Sequence, residues 1–469
     1  MTNTSLTDKH FSVLEFASDY YRKHGVGPLY LKIKQNTGIS REEIENLFPH
    51  GLNSVYKWVD IPITSPADLC KPVPDFEVED YREVYLDYNA TTFLRQSVKE
   101  KIYKLYDTNE FQGNPSSSTK LGKKAYEIIR DSRELIADRL GVLPEEIIFY
   151  NGGSEANNAA ILGTAFSYQP GKGHIITSPL EHNSVLKPVE FLKSLGYRIS
   201  YLHPDSNGEI SIAELESLIE KDTILVALMY ANNEIGTVNP VNEIGRICAK
   251  YDIPFFSDGI QALGKAGENI IADGMTMMSF SSHKIYGPKG AGFLYKNKNH
   301  NIIPIISGGE QESGLRAGTE NIVNIAATGQ AVKDLFDNMT DDINHMRKIQ
   351  SYFLERIKNS GIEYVVNGSL NNRLPNNLSI GFRDVNAKAL LLSLNKAGIY
   401  VSSGSACSSG NDKTSHVLNA IKADTANYGT IRFSFGNETG ESDIDYLFKY
   451  LPLILEKLSE EKQVKLEER

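Results

Sequence analysis

A single lysine in a run of small polar residues is the strongest candidate for chemistry in this chain. Lys284 closely follows Ser281 and His283 and precedes the turn Gly287-Pro288. A lysine that binds pyridoxal 5′-phosphate (PLP) covalently must be held by backbone turns and must lose its proton easily. The hydroxyl and imidazole groups beside it could hold a phosphate group at the same time. The alternative is a surface loop with a solvated lysine.

A carboxylate upstream favours PLP over that alternative. The run from Ile253 to Gln261 begins as an apolar strand, reaches Asp258 and continues into a turn that carries Gln261. A carboxylate at a strand end can keep the pyridinium nitrogen of PLP protonated, so that the ring withdraws electrons from the substrate. An aspartate at this position could instead cap a helix. Because Lys284 follows after the length of one further strand, PLP binding is the better interpretation.

A glycine-rich turn provides a possible phosphate site. Gly153 and Ser154 stand between an apolar segment that ends at Tyr150 and a predicted helix that opens at Glu155. Small residues at a helix N-terminus let backbone N–H groups approach a dianionic phosphate. Taken by itself, such a turn is more often only structural.

The cysteines point to sulfur chemistry. Three cysteines in 469 residues argue against a disulfide framework and fit a reducing compartment. Cys248 lies in a helical pattern beside Ile244 and Ile247 and is predicted to be a buried core thiol. Cys407 is surrounded by serine and glycine residues, which bury little and predict a solvated loop. A thiol in such a loop is accessible, and its thiolate can act as a nucleophile.

From about Val84 to its end, the chain resembles the cysteine desulfurases of the NifS/IscS type, which are class-V, fold-type I PLP enzymes. The resemblance is carried, in the family's order, by Tyr85-Leu-Asp-Tyr-Asn-Ala-Thr-Thr92, Gly113-Asn-Pro-Ser-Ser117, Asn151-Gly-Gly-Ser-Glu-Ala-Asn-Asn158, Glu181-His-Asn183, Asn232-Asn-Glu-Ile-Gly236, the Asp258 and Lys284 segments, Arg316-Ala-Gly-Thr319, Ser402-Ser-Gly-Ser-Ala-Cys407 and Ile431-Arg-Phe-Ser-Phe-Gly436. It implies conversion of L-cysteine to L-alanine with formation of a persulfide on Cys407.

The resemblance also implies a role for each candidate residue. Lys284 and Cys407 would be catalytic together with His182, which would lie over the cofactor ring. The other implied PLP contacts are Gly153, Ser154, Ser281 and His283 at the phosphate, Asn233 and Gln261 at the phenolic oxygen, and Asp258 at the ring nitrogen. Arg432 would bind the substrate carboxylate, which a planar guanidinium fits better than an ammonium group, and Asn233 would also lie near the substrate. Thr319 is similar to the residue that reaches this phosphate from the other subunit, which implies a homodimer.

The first 65 residues precede everything that a desulfurase needs. Apolar residues at helical spacing predict a helix from Asp8 to His24. Ser40 followed by Glu43 forms a capping-box pattern, which predicts a second helix up to Leu47. This segment is similar to the DsrC/TusE family of sulfur-relay proteins, and it is predicted to form a small, mainly helical domain.

A proline-rich linker at 66–82 follows this segment and carries Cys70. In the DsrC/TusE family a cysteine near the C-terminal tail carries a persulfide, and Cys70 lies close to the matching place. We therefore expect Cys70 to take sulfur from Cys407, within one chain or across the dimer. The alternative is an incidental linker thiol.

Composition and patterning set the remaining expectations. Apolar strands alternate with helices, which predicts an α/β protein with a mostly parallel sheet in a large domain at 83–336 and a smaller α+β domain at 337–469. The chain has no apolar run of ~18 residues and no signal-peptide pattern, so we predict a cytoplasmic protein without membrane contact.

Three alternatives remain open from the sequence. Residues 28–58 could form a helix-turn-helix, but residues 1–60 carry seven Lys/Arg and seven Asp/Glu, and the whole chain has a net charge of −10. This balance disfavours nucleic acid as a partner. A selenocysteine lyase or a class-V aminotransferase would share Lys284 and Asp258. The sulfur acceptor could be an iron–sulfur scaffold, a thionucleoside pathway or a protein of dissimilatory sulfur metabolism.

Overall fold

The computed structural model describes residues 7–24, 27–28, 30–48, 52–59, 76–168, 171–404 and 415–467. Cys70 and Cys407 lie outside the described residues, and so does most of the predicted linker. The strands are, in chain order, β1 (Val84–Tyr85), β2 (Ile147–Tyr150), β3 (His174–Thr177), β4 (Arg198–Tyr201), β5 (Thr223–Ala227), β6 (Phe255–Asp258), β7 (Met277–Ser281), β8 (Gly292–Lys296), β9 (Tyr364–Asn367), β10 (Asn377–Arg383), β11 (Ile399–Tyr400) and β12 (Tyr428–Ser434). The α-helices are α1 (Asp8–His24), α2 (Tyr30–Thr37), α3 (Arg41–Leu47), α4 (Leu52–Trp58), α5 (Gln96–Thr108), α6 (Lys120–Leu140), α7 (Gly153–Ser167), α8 (Asn183–Ser194), α9 (Ile212–Leu218), α10 (Val241–Lys250), α11 (Ile322–Lys358), α12 (Ala387–Lys396), α13 (His416–Ala420) and α14 (Glu441–Glu467).

The first four helices bury a small apolar core of their own. The core residues are Val13, Leu14, Ala17, Ile33, Ile39, Ile44, Phe48, Leu52, Val55 and Tyr56. The helix predicted from Asp8 to His24 is confirmed, and the predicted capping box of Ser40 and Glu43 opens α3. Because every member of this core precedes residue 60, the described part of the N-terminal segment supplies the cluster by itself.

A seven-stranded sheet forms the centre of the large domain, with the strand order β2-β8-β7-β6-β5-β3-β4. Strands β4, β3, β5, β6 and β7 run parallel to one another, whereas β8 is antiparallel to both β7 and β2. Most of these strands are buried at every position, as expected for a sheet covered by helices on both faces. The predicted apolar strands at 174–177, 224–230, 253–258, 277–280 and 291–295 are confirmed, with boundaries that shift by up to three residues.

A three-stranded antiparallel sheet in the order β12-β10-β9 belongs to the smaller domain. Its apolar face packs with α12, α14 and the last turns of α11. Val84 and Leu86 lie in the hydrophobic core of the smaller domain, although they stand at the start of the range predicted for the large domain. The boundary predicted at 336/337 falls inside α11, which passes from the large-domain core at Met346 to the small-domain core at Ile349.

The topology gathers the candidate residues at one edge of the large sheet. Asp258 ends β6, Ser281 ends β7, and Gly153 opens the helix that follows β2. Ligands of open α/β sheets bind at the carboxyl ends of the strands, and this is the edge that these residues share. Among the helices of the described ranges, none combines the length and apolar character needed to cross a bilayer.

Candidate active site

Lys284 is held by tight backbone turns, as its sequence context predicts. It ends a 3-10 turn (Ser282–Lys284) directly after β7, and the backbone N–H of Gly287 closes the loop by donating to the carbonyl of Ser282 at 3.0 Å. A Cβ atom on Gly287 would lie 2.0 Å from the Ser282 Oγ, so only glycine fits there. The Lys284 Nζ donates to the backbone carbonyls of Asn89 and, at 2.6 Å, Ala90.

Asn89 connects several parts of the site, although no role was predicted for it. Its side chain is buried, and its backbone carbonyl accepts hydrogen bonds from the Nζ of Lys284 and, at 3.1 Å, from the Nε2 of Gln261. Its side-chain Nδ2 donates to the carbonyl of Asn233 at 3.1 Å, and its Oδ1 accepts from Asn376 at 2.9 Å. The only sequence signal was its place in the segment Tyr85 to Thr92 that carried the resemblance.

Asp258 is almost fully buried at the end of β6. Its Oδ1 accepts from the backbone N–H of Ile260 at 3.0 Å, and its Oδ2 accepts from the side-chain Nδ2 of Asn157 at 2.8 Å. Burial raises the pKa of the Asp258 carboxyl above its ordinary value, and this is opposed by His182, by these hydrogen bonds and by Lys284. A cationic ring nitrogen at this carboxylate would further favour the charged form.

His182 caps α8, the helix that follows the loop after β3. Its Nδ1 accepts the backbone N–H of Ser184 at 3.1 Å and lies 2.7 Å from the Ser184 Oγ. Burial lowers the pKa of His182 below the ordinary value of 6.5, and Lys284 lowers it further, against the opposing carboxylate of Asp258. The ring is therefore neutral at pH 7.

The predicted phosphate ligands lie together in one cavity. Gly153, Ser154, Ser281 and His283 line a cavity of about 440 Å³ in which the N-terminus of α7 opens. A Cβ atom on Gly153 would lie 2.1 Å from the Cδ1 of Ile260, so a larger residue here would require the Ile260 side chain to move. Burial and the nearby Lys284 lower the pKa of His283 to about 4, which leaves a neutral imidazole. Backbone N–H groups, hydroxyls and an imidazole N–H are the donors that a phosphate needs, so this cavity fits the phosphate of PLP.

The amide of Gln261 has a fixed orientation. Its Nε2 donates to the carbonyl of Asn89, and its Oε1 accepts from the Nζ of Lys265 at 3.3 Å. Burial lowers the pKa of Lys265 to about 7. Because the Asn89 carbonyl can only accept, it holds the Nε2 of Gln261 on its own side and turns the Oε1 toward Lys265.

Arg432 lies on β12 of the small domain, only 2% exposed, and reaches the large domain. Its Nη2 pairs with the Oδ1 of Asp87 at 2.7 Å, and its Nη1 donates to the carbonyl of Asn233 at 3.1 Å. Its buried Nε has no hydrogen-bond partner within the described ranges. The backbone of Arg432 also bridges that of Ser402, five residues before Cys407, so the described chain that leads toward Cys407 runs beside β12.

Two predicted site residues are not brought to these groups within the described chain. Thr319 lies on an exposed loop before α11. Cys407 lies outside the described residues, between Gly404 and Ser415. Cys248 is fully buried, and burial raises the pKa of its thiol to about 12, which confirms it as a core residue.

Comparison with known proteins identifies the family and the fold. The aminotransferase class-V family model matches residues 84–447. This chain belongs to that family. It is 43% identical to the cysteine desulfurase IscS of Dictyoglomus turgidum over 378 residues, which cover 80% of this chain and 95% of the relative. It is 37% identical to the IscS of Clostridium botulinum over 81% of this chain and 96% of that relative.

Solved structures give the same family. A NifS-like protein matches with a TM-score of 0.75 at 35% identity, covering 80% of this chain and all of the neighbour (100%). The structure of SspA in complex with cysteine matches with a TM-score of 0.67 at 36% identity, covering 76% of this chain and 100% of the neighbour. These matches confirm the predicted α/β fold, the PLP cofactor and the cysteine desulfurase activity, which is favoured over the other PLP reactions.

The comparisons leave two groups of predictions untested. The family match begins at residue 84, so the resemblance of the first 65 residues to DsrC/TusE proteins stays a prediction. The roles of individual residues are likewise not decided by the matches.

Proposed function

We propose that this cysteine desulfurase converts L-cysteine to L-alanine and leaves the sulfur on Cys407 as a persulfide. The observation that carries the proposal is the convergence of Lys284, Gln261 and Arg432 on the segment Asp87 to Ala90. Lys284 and Arg432, although they lie in different domains, are joined by one short hydrogen-bonded path through Asn89 and Asn233. Arg432 also pairs with Asp87, two residues before Asn89. The lysine that would bind the cofactor is thus connected to the arginine that would bind a carboxylate, and an amino acid substrate needs both.

Arg432 binds the substrate carboxylate in this proposal. A carboxylate facing the guanidinium would use the Nε, which has no partner in the described chain, together with an Nη group. PLP, when bound, withdraws electrons from the substrate carbon that loses its proton. Its phosphate would be held by Gly153, Ser154, Ser281 and His283, and its ring nitrogen by Asp258.

Lys284 and Cys407 carry the two reactive steps. The Lys284 amine takes the α-proton and becomes an ammonium group. The backbone carbonyls of Asn89 and Ala90, to which its Nζ donates, stabilise that ammonium group. The Cys407 thiolate attacks the substrate sulfur, an S–S bond forms as the carbon–sulfur bond breaks, and the electron pair of the broken bond stays with the carbon. That carbon takes a proton and becomes the methyl group of alanine. The products are L-alanine and a persulfide on Cys407.

The test of this assignment is the variant Cys407→Ala. We expect it to bind PLP and L-cysteine as the wild type does, seen as the same change in cofactor absorbance, but to release neither alanine nor sulfide. The control is Cys248→Ala, which removes a buried thiol and should retain turnover. Normal alanine formation by Cys407→Ala would show that another group receives the sulfur.

We further propose a homodimer in which Thr319 binds the PLP phosphate of the partner subunit. The exposure of Thr319 and the location of the other phosphate ligands in a separate open cavity support this. Mixing Lys284→Ala protomers with Thr319→Ala protomers gives mixed dimers in which one site carries both changes and the other carries none. Random mixing should restore about a quarter of the wild-type activity, since about half of the dimers are mixed and each has one intact site. Without restoration, Thr319 would act within its own subunit or not at all.

The proposed acceptor of the sulfur is a protein thiol, and Cys70 is the candidate within this chain, since Cys248 is a buried core thiol. Support comes from the resemblance of the N-terminal segment and from the independent helical core that precedes Cys70. Peptide mass mapping of trapped persulfides after a single turnover tests this. Sulfur on Cys407 that never reaches Cys70, even without another acceptor, would leave Cys70 as an ordinary linker thiol.

A cytoplasmic location is also proposed, on the basis of the small number of cysteines and the dependence of the reaction on a free thiolate. Fractionation of cells that produce the protein, followed by immunodetection, checks it. Recovery with the exported proteins would contradict it.

A further inference from the structure

A hydrogen-bonded chain of four side chains joins Asp258, through Asn157 and Ser184, to His182. The Asn157 Nδ2 lies 2.8 Å from the Oδ2 of Asp258 and 2.8 Å from the Oγ of Ser184. The Ser184 Oγ in turn lies 2.7 Å from the Nδ1 of His182. Asn157 is fully buried and Ser184 is 9% exposed, so water competes little with these bonds.

The direction of each hydrogen bond in this chain is determined by its chemistry. The Asn157 amide nitrogen carries two hydrogens, one for Asp258 and one for Ser184; the flipped amide would place its oxygen against a carboxylate oxygen. Ser184 then accepts from Asn157 and has its own O–H hydrogen left for His182. The backbone N–H of Ser184 also donates to the same Nδ1, at 3.1 Å.

Two donors therefore converge on one nitrogen of His182. The Nδ1 of a neutral imidazole that accepts hydrogen bonds carries no proton, so the hydrogen lies on Nε2. Within the described ranges Nε2 makes no hydrogen bond to the protein, and it is the nitrogen left for a ligand. The charged or titratable groups that act on the ring are Asp258, Lys284, His416 and Glu234.

We propose that Ser184 is a positioning residue that holds His182 in its Nε2–H tautomer. His182 then presents a hydrogen-bond donor to the substrate side, and the α-proton is taken by Lys284 alone. Asn157 orients the Ser184 hydroxyl and also binds Asp258. The tautomer of His182 therefore depends on Asn157 as well. This inference deepens the proposed function. The expected effect of the His182 tautomer on turnover rests on that function.

The sequence carried no signal for these two residues. Asn157 and Ser184 both belong to segments that support the family resemblance or adjoin one, but a buried asparagine and a helix-opening serine are ordinary structural residues. Ser184 occupies the first turn of α8, where a serine also stabilises a helix locally. The test must therefore report on the histidine ring and not only on stability or turnover.

Long-range ¹H–¹⁵N spectra of histidine side chains, recorded on the protein before PLP is added, distinguish the two tautomers directly. The His182 signals are identified by their absence from His182→Gln. We expect the wild type to show Nε2–H, Ser184→Ala to shift the tautomer ratio about threefold to tenfold toward Nδ1–H because one of two donors is lost, and Ser184→Thr to restore it. Ser194→Ala is the matched control, since Ser194 lies on the same helix and its hydroxyl only donates to the carbonyl of Phe191.

The loaded enzyme supplies the second measurement. Ser184→Ala should lower kcat for alanine formation with little change in KM, and Ser184→Thr should recover it. An Nδ1–H tautomer in the wild type, or an unchanged tautomer ratio in Ser184→Ala, would overturn the proposal, and the wild-type spectrum decides even if Ser184→Ala does not fold. A chain that makes no alanine but shows the Nε2–H tautomer would refute the proposed function and leave this inference standing.

Discussion

Arg432 shows how one residue joins two domains and two tasks. Its guanidinium is buried, pairs with Asp87 and contacts the carbonyl of Asn233, so it helps to close the domain interface. The same group is the one proposed to bind the substrate carboxylate. Burial raises the pKa of the Asp87 carboxyl, and Arg432 opposes that shift. Removal of the guanidinium would therefore leave a poorly solvated carboxylate behind.

We predict that Arg432→Lys lowers kcat/KM for L-cysteine by about 10- to 100-fold. A lysine keeps the charge for Asp87 but cannot form the two parallel bonds to a carboxylate. Steady-state kinetics measure the effect. Arg383→Lys, on an exposed pair with Glu363 in the same domain, should stay within about twofold of wild type. Equal losses in both variants would contradict the role of Arg432.

His300 makes the stability of the protein depend on pH. It contacts the Oγ1 of Thr164 through Nε2 at 3.0 Å, and burial with help from Lys296 lowers its pKa from 6.5 to about 4. The unfolded chain binds this proton below pH 6.5, whereas the folded chain resists it until about pH 4. The stability contribution of the neutral ring is therefore present above pH 6.5 and is lost progressively as the pH falls to 4.

We predict that His300→Gln reduces the loss of thermal stability between pH 7 and pH 5. Glutamine can still bond to Thr164 but takes up no proton. Scanning calorimetry at the two pH values gives the difference in Tm. His203 has an exposed side chain, so His203→Gln should lose as much thermal stability between pH 7 and pH 5 as the wild type does. His283, which has the same direction of shift, will keep part of the acid sensitivity in every variant.

At the scale of elements, the site depends on how closely β8 approaches the turn before α7. Gly292 pairs with Tyr150 and Ser281, and a Cβ atom there would lie 2.4 Å from the carbonyl oxygen of Phe280 and 2.8 Å from the Cα of Gly152. These are backbone atoms, which cannot rotate out of the way. The phosphate cavity is therefore shaped by strand packing as much as by its own side chains.

We predict that Gly292→Ala destabilises the protein by about 1–3 kcal/mol and weakens PLP binding, because it forces β8 away from the turn. Denaturant titration measures the first effect and an absorbance titration with PLP the second. Gly440→Ala is the control: the nearest atom to its Cβ would be the Oγ of Ser442, at an ordinary 3.6 Å. Full PLP affinity in Gly292→Ala would mean that the cavity tolerates displacement of this strand.

At the scale of the whole molecule, the N-terminal helices and the enzyme have separate cores among the described residues. The α3 cap is reciprocal: the backbone N–H of Glu43 donates to the Oγ of Ser40, and the backbone N–H of Ser40 donates to Glu43. Ser211 caps α9 of the large domain through a comparable bond to the backbone N–H of Glu214. These two caps allow the cores to be perturbed one at a time.

We predict that Ser40→Ala costs about 0.5–2 kcal/mol and accelerates amide hydrogen exchange in α3 and its neighbours only. Exchange across the family-matched region should remain unchanged. Ser211→Ala should show the reverse pattern, with faster exchange in α9 and none of the effect on α3. Hydrogen exchange with mass spectrometry on the intact chain compares both. Spread of the Ser40→Ala effect into the large domain would show that the two cores fold together.

Sequence reasoning recovered the parts of this enzyme that local patterns encode. Apolar runs predicted the strands, since a strand buried on both faces must be apolar throughout. Residue type and spacing singled out Lys284 and Asp258, and the family resemblance singled out Arg432. Their roles remain predictions, as do those of Thr319, Cys407 and Cys70. Asn89 received no role, because the reason for its position is the set of side chains that meet its backbone.

The amino-acid sequence by itself indicated the PLP cofactor, favoured the cysteine desulfurase reaction over other PLP reactions, and located the sheet-forming segments along the chain. Only the tertiary structure decided that Asn89 meets Lys284, 195 residues further along, and that Asn157 and Ser184 connect Asp258 to His182. It also placed Val84 and Leu86 in the small-domain core and carried α11 through both domains. Patterns along a chain report on neighbours in sequence, whereas these contacts arise when distant segments are folded against one another.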